Sequence, residues 1–163
     1  MYVVEKEEEK VKNLIAHELL HMSTSKIEEN TFYCGFQQTN KKTGINIGIA
    51  LNEGYTEHLN QQYFFPDYFD DSYIHEQSIA YEIEKIVGKE KMEKYYFNAD
   101  LYSLIQELTK YAELEEIITF LRDFDKLHVK PVPLEQKEKD FKALRKRIAK
   151  IYLNKQKMLL EQG

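Results

Sequence analysis

One cysteine, Cys34, in 163 residues leaves no internal disulfide framework to draw, and a reducing compartment is the expectation. No apolar run approaches the length of a membrane span, and no signal-peptide pattern opens the chain, so a cytoplasmic protein without a membrane partner is expected. A basic surplus is missing too. Lys and Arg number 23 against 28 Asp and Glu, a formal charge of −5, which argues against a general nucleic-acid binder because backbone phosphates need a concentrated basic surface. Glycine is sparse. Gly44, Gly48 and Gly54 lie near one another, but without the lysine and following hydroxyl residue of a phosphate loop, and Gly35, Gly44 and Gly48 read as turn or bulge positions. There is no internal repeat, and the charged opening from Glu5 to Lys10 reads as the wet face of a first helix.

A hydrophobic content of 42% in a chain of this length supports one sizeable core, most simply one domain with an appendage. The charge is uneven: from Glu135 onward there are nine Lys or Arg and four Asp or Glu, which leaves −10 for residues 1–134. A first helix is predicted from about Glu5 to Met22, with Val11, Leu14, Ile15, Leu19 and Met22 as an apolar face at helical spacing. Residues 31–36 and 45–49 flank the polar stretch 40–44 and read as a small hairpin or two irregular strands. Asn52 reads as the N-cap of a helix from Glu53 to about Phe64. Further helices are predicted from Tyr73 to Val87, Lys89 to Tyr96 and Asp100 to Tyr111, and one more carries the stripe Leu114, Ile117, Ile118, Leu121 and Phe124. Pro131 and Pro133 mark the best boundary, separating a body of residues 1–129 from a linker and long basic helix, 130–163. Along that helix Leu134, Phe141, Leu144, Ile148, Ile151 and Leu159 keep spacings near three and four, suited to docking on the body or pairing with a partner protein. The expected class is mainly α with a small β hairpin, α+β.

The segment His17-Glu18-Leu19-Leu20-His21 matches H-E-x-x-H. Two histidines four apart lie on one helical face and can address one ion, and zinc accepts imidazole and carboxylate donors. Glu18 between them can stand beside the metal without binding it, as a general base for a metal-activated water. Glu53, at the start of the second predicted helix, is the candidate third ligand. Glu57 follows one turn later and can accept a hydrogen bond from the far ring nitrogen of either histidine, which fixes the tautomer. His58, beside Glu57, is a reserve ligand. His128 sits by the prolines with no assigned role, and Cys34 reads as a small buried hydrophobe.

The pairing of HELLH at 17–21 with Asn52-Glu53-Gly54-Tyr55-Thr56-Glu57 resembles the gluzincin metallopeptidases, the thermolysin-like and aminopeptidase N-like enzymes. The resemblance covers roughly residues 10–60. It implies a zincin-like core with Zn2+ held by His17, His21 and Glu53, Glu18 as the base and peptides or proteins as substrates. Members commonly supply a downstream Tyr or His to the oxyanion, which makes Tyr81, His75 and Tyr55 candidates. The departure is at the start. Such folds usually carry a sheet before the active-site helix, and only Met1 to Val4 precede the helix predicted here, so a compact or N-terminally truncated form is expected, residues 31–50 taking over the substrate-binding edge in the compact case. A metal-binding interaction module without catalysis, and a helical interaction domain without metal, are the competing readings.

Overall fold

The computed structural model describes residues 2–67, 72–129 and 133–162. It is mainly helical, in the order α1 (Tyr2–Thr24), β1 (Lys26–Glu28), β2 (Thr31–Cys34), β3 (Gln37–Asn40), β4 (Ile45–Ile47), α2 (Ile49–Tyr63), α3 (Ile74–Val87), α4 (Lys89–Phe97), α5 (Leu101–Leu108), α6 (Leu114–Val129) and α7 (Leu134–Gln162). Among the described residues no helix is long and apolar enough to cross a membrane.

The strands form one antiparallel meander, β1-β2-β3-β4, rather than the single hairpin expected. Segments 31–36 and 45–49 do not pair with each other; β3 lies between them, with Phe32 opposite Thr39 and Asn40 opposite Ile45. The sequence of β3, Gln-Gln-Thr-Asn, carries no apolar alternation, and its strand conformation comes from ladder bonds on both sides. Asn40 closes the β3–β4 turn by accepting the Lys42 and Thr43 backbone N–H groups.

Helix α2 runs through the centre of the body. Ala50, Leu51, Tyr55 and Leu59 join Ile79, Ala80 and Ile83 of α3, Ile117, Phe120 and Phe124 of α6, and Phe141, Leu144, Ile148 and Ile151 of α7 in one core. The long last helix therefore docks on the body, although Leu159 is exposed. The expected linker at Pro131 lies outside the described residues.

Helix α2 begins earlier than its sequence suggests, because its cap is tertiary. The expected cap, Asn52, lies inside the helix, and the start is set at Gly48, with φ 83°. The Asp125 carboxylate, from α6, accepts the N–H groups of Gly48 and Ala50 at 2.7 and 2.9 Å. At Gly54 a methyl group would sit 2.3 Å from the Glu76 carbonyl, so the missing side chain is what lets α2 and α3 approach.

The apolar face predicted for α1 is present, and it points outward. Val11, Leu14, Ile15, Leu19 and Met22 are all more than half exposed, while Asn13, His17, Leu20 and Thr24 are buried. Polar partners on α2 set the rotation of the helix. The Asn60 amide donates to the Asn13 carbonyl, and His17 and His21 reach Glu53, Glu57 and Asn52.

Candidate metal centre

Helical spacing on α1 and α2 brings the site together. His17 and His21 project from successive turns of α1, and their Nε2 atoms lie 3.0 Å apart. Across from them, the Glu53 carboxylate on α2 stands with Oε2 at 3.3 Å from His17 Nε2 and Oε1 at 3.4 Å from His21 Nε2. One donor atom from each residue lies within 4.8 Å of the others, so this group could hold a metal ion. Tetrahedral zinc with bonds of about 2.0–2.1 Å sets its ligand atoms about 3.3 Å apart. These separations are close to that tetrahedral edge, and three protein donors would leave a fourth position for water or substrate.

The far nitrogen of each imidazole is held from outside the group. Glu57 Oε2 lies 2.9 Å from His17 Nδ1, and both residues are buried. An ionised carboxylate only accepts, so it draws the His17 proton to Nδ1 and leaves Nε2 free to bind a cation. Gln61 in turn donates to the other Glu57 oxygen at 3.1 Å.

Around His21 Nδ1 stand the Asn52 amide nitrogen at 3.1 Å, Cys34 Sγ at 3.5 Å and Thr56 Oγ1 at 3.5 Å. Asn52 Oδ1 accepts the Phe36 backbone N–H, which orients the amide so that its nitrogen can only donate. The acceptors within reach of a proton on Nδ1 are therefore Cys34 and Thr56. Cys34 is buried, as its sequence context suggests, but it also faces His21.

The three groups shift one another's ionisation. Burial pulls the His21 imidazole down, but Cys34 and Glu53 outweigh it and raise it to about 9. His17 is also raised, Glu53 and Glu57 overcoming its burial. Burial pushes the Glu53 carboxyl up, yet hydrogen bonds with His17 and His21 hold it well below the usual carboxylate range.

Glu18, between the histidines in the chain, is exposed. Tyr73, the residue before α3, stands beside the group although the sequence did not single it out. Its ring stacks on His17 with centroids 5.4 Å apart and planes 14° off parallel. Burial raises the Tyr73 hydroxyl first, then the charge of Glu53 and a hydrogen bond with it, with the Glu18 charge adding to the shift, so the O–H stays protonated.

His128 also stacks on Tyr73, at 6.0 Å, and its Nδ1 lies 3.2 Å from Glu76 Oε1. His17, Tyr73 and His128 thus form a run of stacked rings, anchored by the buried Glu76. Nothing marked Tyr73 among twelve tyrosines, and the partner of His128 is 52 positions away.

The other candidates lie elsewhere. His75 stacks on Phe141 at 4.6 Å, and Tyr81 packs against His58 and Lys85. Tyr55 is buried and donates to Glu84 at 2.8 Å, while His58 also faces Glu84. None of these four joins the group of His17, His21 and Glu53. No family model, no curated protein and no solved structure matches the chain.

Proposed function

We propose that the protein is a zinc-dependent peptidase with a reduced gluzincin-like core, hydrolysing peptide bonds in the cytoplasm. The observation that carries the reading is the convergence of His17 Nε2, His21 Nε2 and the Glu53 carboxylate, with Glu18 on the helical turn between the two histidines. Zinc bound by these three residues would supply Lewis acidity, making a bound water acidic near neutral pH and polarising a carbonyl.

The chain's own groups supply the rest. Glu18 takes the proton of the attacking water and passes it to the departing amine. Tyr73, kept protonated by its surroundings, donates its hydroxyl to the carbonyl oxygen as negative charge develops there. Glu57 holds His17 in the tautomer that presents Nε2. Gly54 sets the close contact of α2 with the turn of α3 that carries Glu76, the anchor of the ring stack.

The test is turnover of mixed quench-labelled peptides by the zinc-loaded chain and by Glu18→Gln. Loss of roughly 10²–10⁴-fold in kcat with zinc retained supports the reading. Equal cleavage by both proteins removes Glu18 from it.

A second reading is favoured by α1, whose outward face carries five apolar side chains beside Glu18. Unusually apolar exposed faces mark contact surfaces, so a metal-stabilised interaction module without turnover is the competing account. It predicts stoichiometric zinc and no cleavage sensitive to Glu18.

A further inference from the structure

The basic residues of α7 divide into two flanks with opposite fates. On the flank facing α6, Arg147 pairs with Asp123 at 2.9 Å and Lys150 with Glu116 at 2.7 Å. The flank facing α3 presents Lys142, Arg145 and Lys146, joined by Lys85 from α3. None of these four forms an ion pair with a carboxylate among the described residues, and Arg145 Nε is buried without a hydrogen-bond partner. They border a groove of about 520 Å³ whose floor is Ile148, Ala149 and Tyr152, with Glu82 its one acidic lining residue.

We propose that this groove is a docking site for an acidic amphipathic helix of a partner protein. The argument is charge complementarity together with shape. Lys85 stands over the Tyr81 ring and Glu82 is the groove's single carboxylate, so four cations outnumber the negative charge along the groove and favour an acidic guest. Along α7, Lys142, Arg145, Lys146, Ala149 and Tyr152 fall at spacings of three and four, a strip about 15 Å long that matches three turns of a guest helix.

The apolar floor takes the guest's apolar stripe, and the cationic rim takes the carboxylates flanking it. A nucleic-acid strand would use the rim but leave the floor without a function. The groove shares no residue with the candidate metal centre, so the inference stands independently of the peptidase reading.

Fluorescence anisotropy on the full chain tests it. The probe is a labelled 16-residue helical peptide with leucines at spacings of three and four and glutamates beside them. Saturable binding with Kd on the order of 10 μM, weakened at least tenfold by the double variant Lys142→Glu, Lys146→Glu, is the expected result. The double variant Lys139→Glu, Lys157→Glu makes the same charge change at exposed lysines outside the groove and keeps the affinity within about threefold. All four lysines are exposed, and unchanged circular dichroism is expected of both variants.

Four results overturn the proposal: no saturation by 200 μM peptide, equal binding of a scrambled peptide of the same composition, equal losses in the two variants, or tighter binding of duplex DNA than of the peptide.

Discussion

His17 Nδ1 and Glu57 Oε2 meet at 2.9 Å across the α1–α2 contact, with both side chains buried. This bond ties the orientation of a proposed ligand to a carboxylate forty positions later. Replacing Glu57 by Gln keeps the size but removes the charge that holds the proton on Nδ1. Zinc affinity is expected to fall by about tenfold, read by chelator competition, because outer partners of ligating histidines typically contribute that much. Unchanged affinity would show that His17 needs no such orientation.

Tyr73→Phe keeps the ring on His17 and removes only the hydroxyl. Under the peptidase reading, kcat drops by about 10²–10³-fold, with zinc content unchanged, as for loss of one oxyanion donor. An unaltered kcat removes the tyrosine from the chemistry, leaving it a packing role.

Gly54→Ala puts a methyl group 2.3 Å from the Glu76 carbonyl. Backbone atoms cannot turn aside as a flexible side chain does, so α2 and α3 must separate. A loss of about 1–3 kcal/mol in urea unfolding is expected, against the slight gain that Ala usually brings to a helix interior.

The pair His128–Glu76 makes stability depend on pH in a definite window. The Glu76 hydrogen bond raises His128 above its ordinary 6.5 despite burial, and that contribution is complete below 6.5 and lost as pH rises through the folded value. Burial pushes the Glu76 carboxyl up, but the His128 hydrogen bond outweighs it and lowers it below 4.5. This second contribution is complete above 4.5 and lost as pH falls through the folded value. The stability difference between wild type and His128→Gln is therefore largest between pH 4.5 and 6.5 and shrinks on both sides. A flat difference from pH 4 to 9, in denaturation at constant ionic strength, would contradict the pairing.

What could be read from the sequence was local and periodic. His17 and His21 share a face because they are four apart, and Glu53 and Glu57 repeat that spacing on α2. A second segment facing the first then yields the three-residue group and its outer carboxylate. The boundaries of α3 were legible for the same kind of reason, since Gly88 ends the helix after Val87.

Features set by distant partners were not legible. The cap of α2 comes from Asp125, 77 positions after Gly48. Ring stacking places Tyr73 and His128 beside His17, and ladder bonds alone make a strand of Gln37–Asn40. The rotation of α1 shows the limit most clearly. Its apolar periodicity gave the helix but not the face that turns inward, which carries Asn13, His17, Leu20 and Thr24 and is tied to α2 by hydrogen bonds to Asn52, Glu53 and Glu57.

The central claim is that His17, His21 and Glu53 form one zinc site, and metal analysis of the chain purified without added metal tests it most directly. One zinc per chain in the wild type, with affinity at least tenfold weaker in Glu53→Ala, is the predicted result. A wild-type chain that takes up no zinc when the ion is supplied, or a Glu53→Ala variant that binds it equally well, would contradict the account.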